Sequence, residues 1–183
     1  IFSSWQNTAI VRFQDGIPRE NIDIQRHLII NKDGPELTKL RKIISRGFTP
    51  RAVASLRSAL AERAERIVAE AANSESGDFV TQVAAELPLQ AIADLLGVPQ
   101  EDRRKIFDWS NEMMGYDDPD YDVDPETASA QLLGYAYEMA EERKACPRDD
   151  MATTLVQADV HGSGLTPEEF GFFVLALSVA GNE

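Results

Sequence analysis

The sequence predicts a fold made almost entirely of α-helices. Apolar residues recur at helical spacing through most of the chain. Helix-opening signals recur too, each a capping residue with Pro or an acid in the first turn. The alternating pattern of a strand is weak everywhere except around Ile22–Ile30, and there is no internal repeat.

The elements follow in order. Asp33-Gly34-Pro35-Glu36 has the spacing of a capping box with Pro in the first turn, and opens a helix running to about Gly47. Thr49-Pro50 opens a second, with Val53, Leu56, Leu60 and Ile67 on one face, which fades at residues 73–77. A third is expected from near Asp78 to about Glu86. Leu87-Pro88 starts a fourth, closed by Gly97 and Pro99. A fifth spans about Gln100 to Met114, and an acidic loop follows at residues 117–125. A sixth covers about Glu126–Lys144, and a short seventh lies near Asp150–Ala158. After the turn at residues 161–164, Thr166-Pro167-Glu168-Glu169 is another capping box, and it opens the final helix.

Composition narrows the function classes. With 43% hydrophobic and 27% charged residues, the 183-residue chain is an ordinary globular composition, not a low-complexity or disordered one. The longest apolar run, Phe170 to Gly181, has twelve residues, too few to span a bilayer. One Cys forbids an intrachain disulfide and points to an intracellular, cytoplasmic setting. The net charge of −13 argues against nucleic-acid binding. That charge is uneven: residues 1–57 carry +5 and residues 58–183 carry −18. A basic segment on an acidic protein points to an anionic partner or ligand. The chain opens on Ile1, and its last residues lie inside a helical apolar pattern, so both ends are expected to be cut.

Two helices carry the candidate chemistry. On a wheel of about 100° per residue from Leu37, Leu40, Ile44 and Phe48 lie within about 60° and Arg41 at about +40°. Arg41 is thus expected to point with the apolar stripe. There it must meet an anion, either an internal carboxylate or a ligand carboxylate or phosphate. Lys39, Lys42 and Arg46 occupy the opposite face, either a solvated surface or a docking patch for an acidic partner. The last helix is apolar all round and is expected to run through the protein centre. One of its faces carries Phe172, then Ala176, Val179 and Ala180, then Glu183. That face is either a packing surface for close neighbours or the wall of a cavity with a carboxylate at one end. Gly181 is a point where the helix can loosen.

Other constellations fail. The alternation Asp118, Asp120, Asp122, Asp124 lacks the Gly and Glu of a calcium loop, having Val123 and Ser129 there instead. Nucleotide, nucleophile-elbow and zinc-protease motifs are absent. His27 and His161 are expected on the surface or in turns, and Cys146 at a helix end.

Two stretches coincide with a known family. Asp33 to Lys42, followed by Gly47-Phe48-Thr49-Pro50-Arg51, resembles the C-helix signature of bacterial cytochrome P-450 monooxygenases. Ala180-Gly181-Asn182-Glu183 is similar to the start of their oxygen-binding I-helix motif, with room for helices D to H between. Residues 2–7, 42–53, 86–93 and 109–113 resemble the actinobacterial subgroup that oxidises the terminal side-chain carbon of cholesterol and cholest-4-en-3-one. The resemblance implies a mainly α fold in which residues 1–183 form a partial domain, from the B–C loop through helix C to the start of helix I.

It also implies haem b and O2 as cofactors, a sterol or other large apolar substrate, and electrons from a ferredoxin. Arg41 would contact a haem propionate. Lys39, Lys42 and Arg46 would meet the ferredoxin. Ala180 and Gly181 would make room for oxygen and lie against the haem, and Glu183 would relay protons. Phe172, Ala176 and Val179 would touch substrate, joined from the B–C loop by Trp5, Ile10, Phe13 and Ile17. Leu37 stands where the family usually has a second propionate contact, a His. Cys146 is not in the context of the iron-ligand loop, which this chain lacks, so no iron ligand is assigned. The chain alone is expected to be inactive. The alternative, a non-enzymatic helical module that binds lipid or protein, explains the apolar last helix but gives Arg41 no role.

Overall fold

The computed structural model describes residues 26–74, 76–115, 124–159 and 164–182; the side chains of Ala52, Ser55, Gly181 and Asn182 are not described. Seven α-helices are described: α1 (Gly34–Ile44), α2 (Pro50–Ala72), α3 (Glu86–Leu96), α4 (Arg103–Met114), α5 (Pro125–Ala145), α6 (Met151–Val156) and α7 (Pro167–Asn182). Short helical turns precede α1 (Ile29–Asn31), α3 (Val80–Ala84, π-type) and α4 (Gln100–Asp102). Among the described residues there is no strand. The strand signal near Ile22–Ile30 is therefore corrected for residues 26–30, where Ile29 enters a 3-10 turn; residues 22–25 lie outside the described residues.

α7 is the central element, packing against α3, α4 and α5. The expectation of a buried last helix holds: Phe170, Phe172, Phe173, Val174 and Ser178 are all buried. α5 packs on it, with Ala128, Leu132, Ala136 and Ala140 buried along one face and Leu133 and Tyr137 meeting Gly171. The contact is tight at Gly171, where a Cβ would sit 2.8 Å from the Tyr137 ring. This Gly lets two helices close to a distance that any other residue would prevent.

Helix ends follow the sequence in several places. Gly97 takes a left-handed conformation, φ 77°, at the end of α3. The N–H of Val98 donates to Ala93 O at 2.7 Å and that of Gly97 to Asp94 O at 3.2 Å, a Schellman closure. Asp124 caps α5 by accepting from the Thr127 N–H at 3.1 Å. Asp78 accepts from the Thr81 N–H at 2.8 Å, as a helix opening there predicts. The segment that follows is nonetheless a π turn running into α3, with Phe79 and Val80 exposed, instead of a separate α-helix.

Three expectations are corrected. Asp33 makes no side-chain cap bond at α1; Glu36 is instead engaged by Lys32, whose Nζ donates to Glu36 Oε1 at 2.7 Å. Val53 does not share a buried face with Ile67, being 52% exposed against 5%. The third concerns the stripe of α1. Its fully buried residues are Leu40 and Ile43. On the wheel these lie at about −60° and −120°, so the buried centre stands about 130° from Arg41. Arg41 is accordingly exposed, and the expected inward guanidinium is not found among the described residues.

Candidate functional site

The candidate site joins the end of α1 to α7. Ile43 belongs to the same buried cluster as Phe173 and Val174, and Ile44 packs against it. Phe48 follows α1 and meets Phe173 edge-on, with ring centroids 6.5 Å apart and planes at 77°. Aromatic pairs favour this geometry because ring edges are positive and faces negative. Gly47 is buried in the turn between, where a Cβ would lie 2.7 Å from Met151 Cγ. The stretch 47–48 thus seats α1 on α6 and α7 at once.

This seating turns a row of cations outward. Arg41, Lys42 and Arg46 are exposed and Lys39 is half-buried. Arg41 makes no ion pair with any described residue. Of the two anions open to it, an internal carboxylate is therefore not present among the described residues.

On α7, Phe172 is 8% exposed, and the His27 ring stacks on it at 5.2 Å with planes 17° apart. His27 is exposed and in a turn, as expected, but its ring contact could not be read from sequence spacing. Ala176 and Val179 are half-buried and Ala180 is exposed. Gly181 lies within α7; Glu183, Trp5, Ile10, Phe13 and Ile17 lie outside the described residues. So do His161 and residues 117–123 of the expected acidic loop. Cys146 is the exposed residue ending α5.

Away from this region, a polar cleft of about 500 Å³ opens between α2, the π turn and α3. Arg63, Arg66, Glu70 and Glu86 line it, and no candidate residue does. The structure also shows ion pairs, half-buried at Asp94 and buried at Arg143, that sequence reasoning missed. Asp94 joins Arg63 at 2.6 Å and Arg103 at 2.5 Å, and Arg143 meets Asp150 at 2.6 Å. No helix among the described residues is long and apolar enough to cross a membrane.

No protein-family model matches the chain. It is 70% identical over 183 residues to a steroid C26-monooxygenase of Rhodococcus jostii (strain RHA1), covering all of this chain and 39% of that protein. It is 39% identical over 189 residues to a methyl-branched lipid omega-hydroxylase of Mycobacterium tuberculosis (strain ATCC 25618 / H37Rv), covering 43% of it. Among solved structures it resembles the cytochrome P-450 PksS of the Bacillus subtilis 168 bacillaene polyketide synthase. There the TM-score is 0.79 and the identity 30%, over 91% of this chain and 42% of the other. The chain spans about two fifths of the length of the curated relatives it matches. Its helices, their order and this similarity agree: the chain belongs to the cytochrome P-450 family.

Proposed function

We propose that this chain is part of a haem monooxygenase that hydroxylates a steroid side chain, of the cholesterol or cholest-4-en-3-one type, at its terminal carbon. The observation that carries the reading is the 70% identity, over all 183 residues, to a protein named for a steroid C26 reaction. The methyl-branched lipid omega-hydroxylase stands much further off, at 39%.

The residues present fit haem b. Arg41 offers an exposed guanidinium that no described carboxylate neutralises, which suits a propionate. Along α7 the side chains shrink from Phe172 to Ala176 and Ala180, which suits a face set beside a flat ligand. Haem, when bound through a thiolate from outside this chain, supplies the iron chemistry that inserts an oxygen atom from O2 into a C–H bond.

This chain's residues do the rest. Arg41 holds the propionate by charge-assisted hydrogen bonds. Ala180 and Gly181 keep space for dioxygen, and the Glu183 carboxylate takes up and hands on protons. Phe172, Ala176 and Val179, with Trp5, Ile10, Phe13 and Ile17, hold the rigid apolar sterol by shape and exclude water. Lys39, Lys42 and Arg46 steer an acidic ferredoxin to the outer face of α1. Cys146, at the end of α5, has no part in the chemistry. The 183 residues alone are inactive.

The test is product analysis. The full-length protein, supplied with a ferredoxin, a reductase, NAD(P)H and cholest-4-en-3-one, yields the steroid hydroxylated at the terminal side-chain carbon. Oxidation of a methyl-branched fatty acid in preference to the steroid would overturn the substrate assignment.

A further inference from the structure

Arg143 is fully buried, which an arginine tolerates only when its charge is paired, and two of its three guanidinium nitrogens are hydrogen-bonded. Its Nε donates to Asp150 Oδ2 at 2.6 Å and its Nη2 to the backbone oxygen of Gly97 at 2.7 Å. Nη1 lies 3.0 Å from Glu142 Oε2. The other Asp150 oxygen accepts the Thr153 N–H at 2.7 Å and so caps α6. One guanidinium thereby ties together the last turn of α5, the left-handed end of α3 and the first turn of α6. Gly97 leaves no slack, since a Cβ there would run into the Asp150 carboxylate.

The first residue of α6 is Met151, 4% exposed, and its side chain is what Gly47 packs on. The nearest atom is Cγ, close to the backbone, so a rotation at the tip of Met151 does not relieve a clash there. The turn holding Gly47 is bonded to α1: the Arg46 N–H donates to Ile43 O at 3.1 Å and the Gly47 N–H to Ile44 O at 2.9 Å. A path of direct contacts therefore runs from Arg143 through Asp150, Met151 and Gly47 to the helix end bearing Arg41, Lys42 and Arg46.

We infer that Arg143 and Asp150 are positioning residues for the cationic face of α1. They fix Met151 as a seat, and the seat sets where α1 ends. Buried ion pairs contribute little net stability, but their best-attested use is to select one arrangement among several. The role assigned to that face rests on the haem reading above; the positioning itself does not.

The experiment compares Arg143→Met, Arg143→Lys and Gly47→Ala in the full-length protein by amide hydrogen exchange, with haem retention as a second readout. In Arg143→Met, amides of α6 and of residues 40–46 exchange about ten-fold faster, because the local opening they report becomes easier. Arg143→Lys restores part of the protection. Gly47→Ala leaves the ion pair intact, so residues 40–46 loosen while α6 stays protected. Unchanged exchange at residues 40–46 in Arg143→Met overturns the inference, whatever Gly47→Ala shows. If Arg143→Met does not fold, Arg143→Lys against the parent decides by the same readout. Faster exchange with unchanged haem retention upholds the positioning and removes the propionate role of Arg41 instead.

Discussion

Thr166 and Glu169 cap each other at the start of α7. The Glu169 N–H donates to Thr166 Oγ1 at 3.1 Å, and the Thr166 N–H donates to Glu169 Oε2 at 2.9 Å. Two otherwise orphaned backbone donors are satisfied at the mouth of the central helix. Replacing Thr166 with Ala removes the hydroxyl and is expected to cost about 1 kcal/mol of stability, read as a lower urea midpoint. An unchanged midpoint contradicts the capping role.

Asp102 gives a second prediction, in acid. The Lys105 ammonium, hydrogen-bonded at 2.7 Å, holds its carboxyl below the ordinary value of 3.8, with the Tyr135 hydroxyl donating at 3.1 Å as well. A depressed carboxyl contributes stability that is full above the unfolded value and is lost as pH falls through the folded one. Asp102→Asn is therefore less stable than the parent at neutral pH, and the gap closes below about pH 4. A gap that stays constant with pH means the ionised form contributes nothing.

Tyr135 provides the alkaline counterpart. Burial, with the nearby Asp102 charge, pushes its phenol well above the ordinary 10.0. A raised phenol stabilises the fold below that value, and the contribution is lost as pH rises past it. Absorbance titration shows fewer tyrosines ionising near pH 10 in the folded parent than after unfolding, and Tyr135→Phe narrows that difference by one, leaving the upward shift of Tyr137, which burial also raises.

The outer face of α1 yields a prediction on electron delivery. Reversing Lys39, Lys42 and Arg46 to Glu should slow reduction by an acidic ferredoxin, more at low salt than at high, since screening weakens long-range steering. Stopped-flow reduction at two ionic strengths checks it. Equal rates for parent and variant exclude this face as the docking site.

Local signals in the sequence were reliable where the chemistry is local. The Thr166–Glu169 box, the left-handed Gly97 and the apolar α7 each depend on residues within one or two turns. The orientation of Arg41 was misread because the wheel was centred on Leu37, whereas tertiary packing chose Leu40 and Ile43 as the buried line. Asp33 looked like a cap, but Lys32 draws Glu36 away from its reciprocal partner. Arg143 sits in a stretch, Glu141-Glu142-Arg143-Lys144, that reads as solvated surface. Its burial depends on Gly97, 46 residues away, and no spacing rule reaches that far. The His27 ring on Phe172 is long-range for the same reason. Of the candidate site, the outward exposure of Lys42 and Arg46 was legible, because it is a property of one helix face.

The most direct measurement is haem content of the full-length protein with Arg41→Ala, alongside the absorption of its reduced carbon monoxide complex. The parent is expected to bind haem stoichiometrically and to show the red-shifted Soret band of thiolate-ligated iron, with Arg41→Ala retaining clearly less haem. A parent without that band, or an Arg41→Ala protein with undiminished haem, would contradict the placement of a haem propionate against this helix.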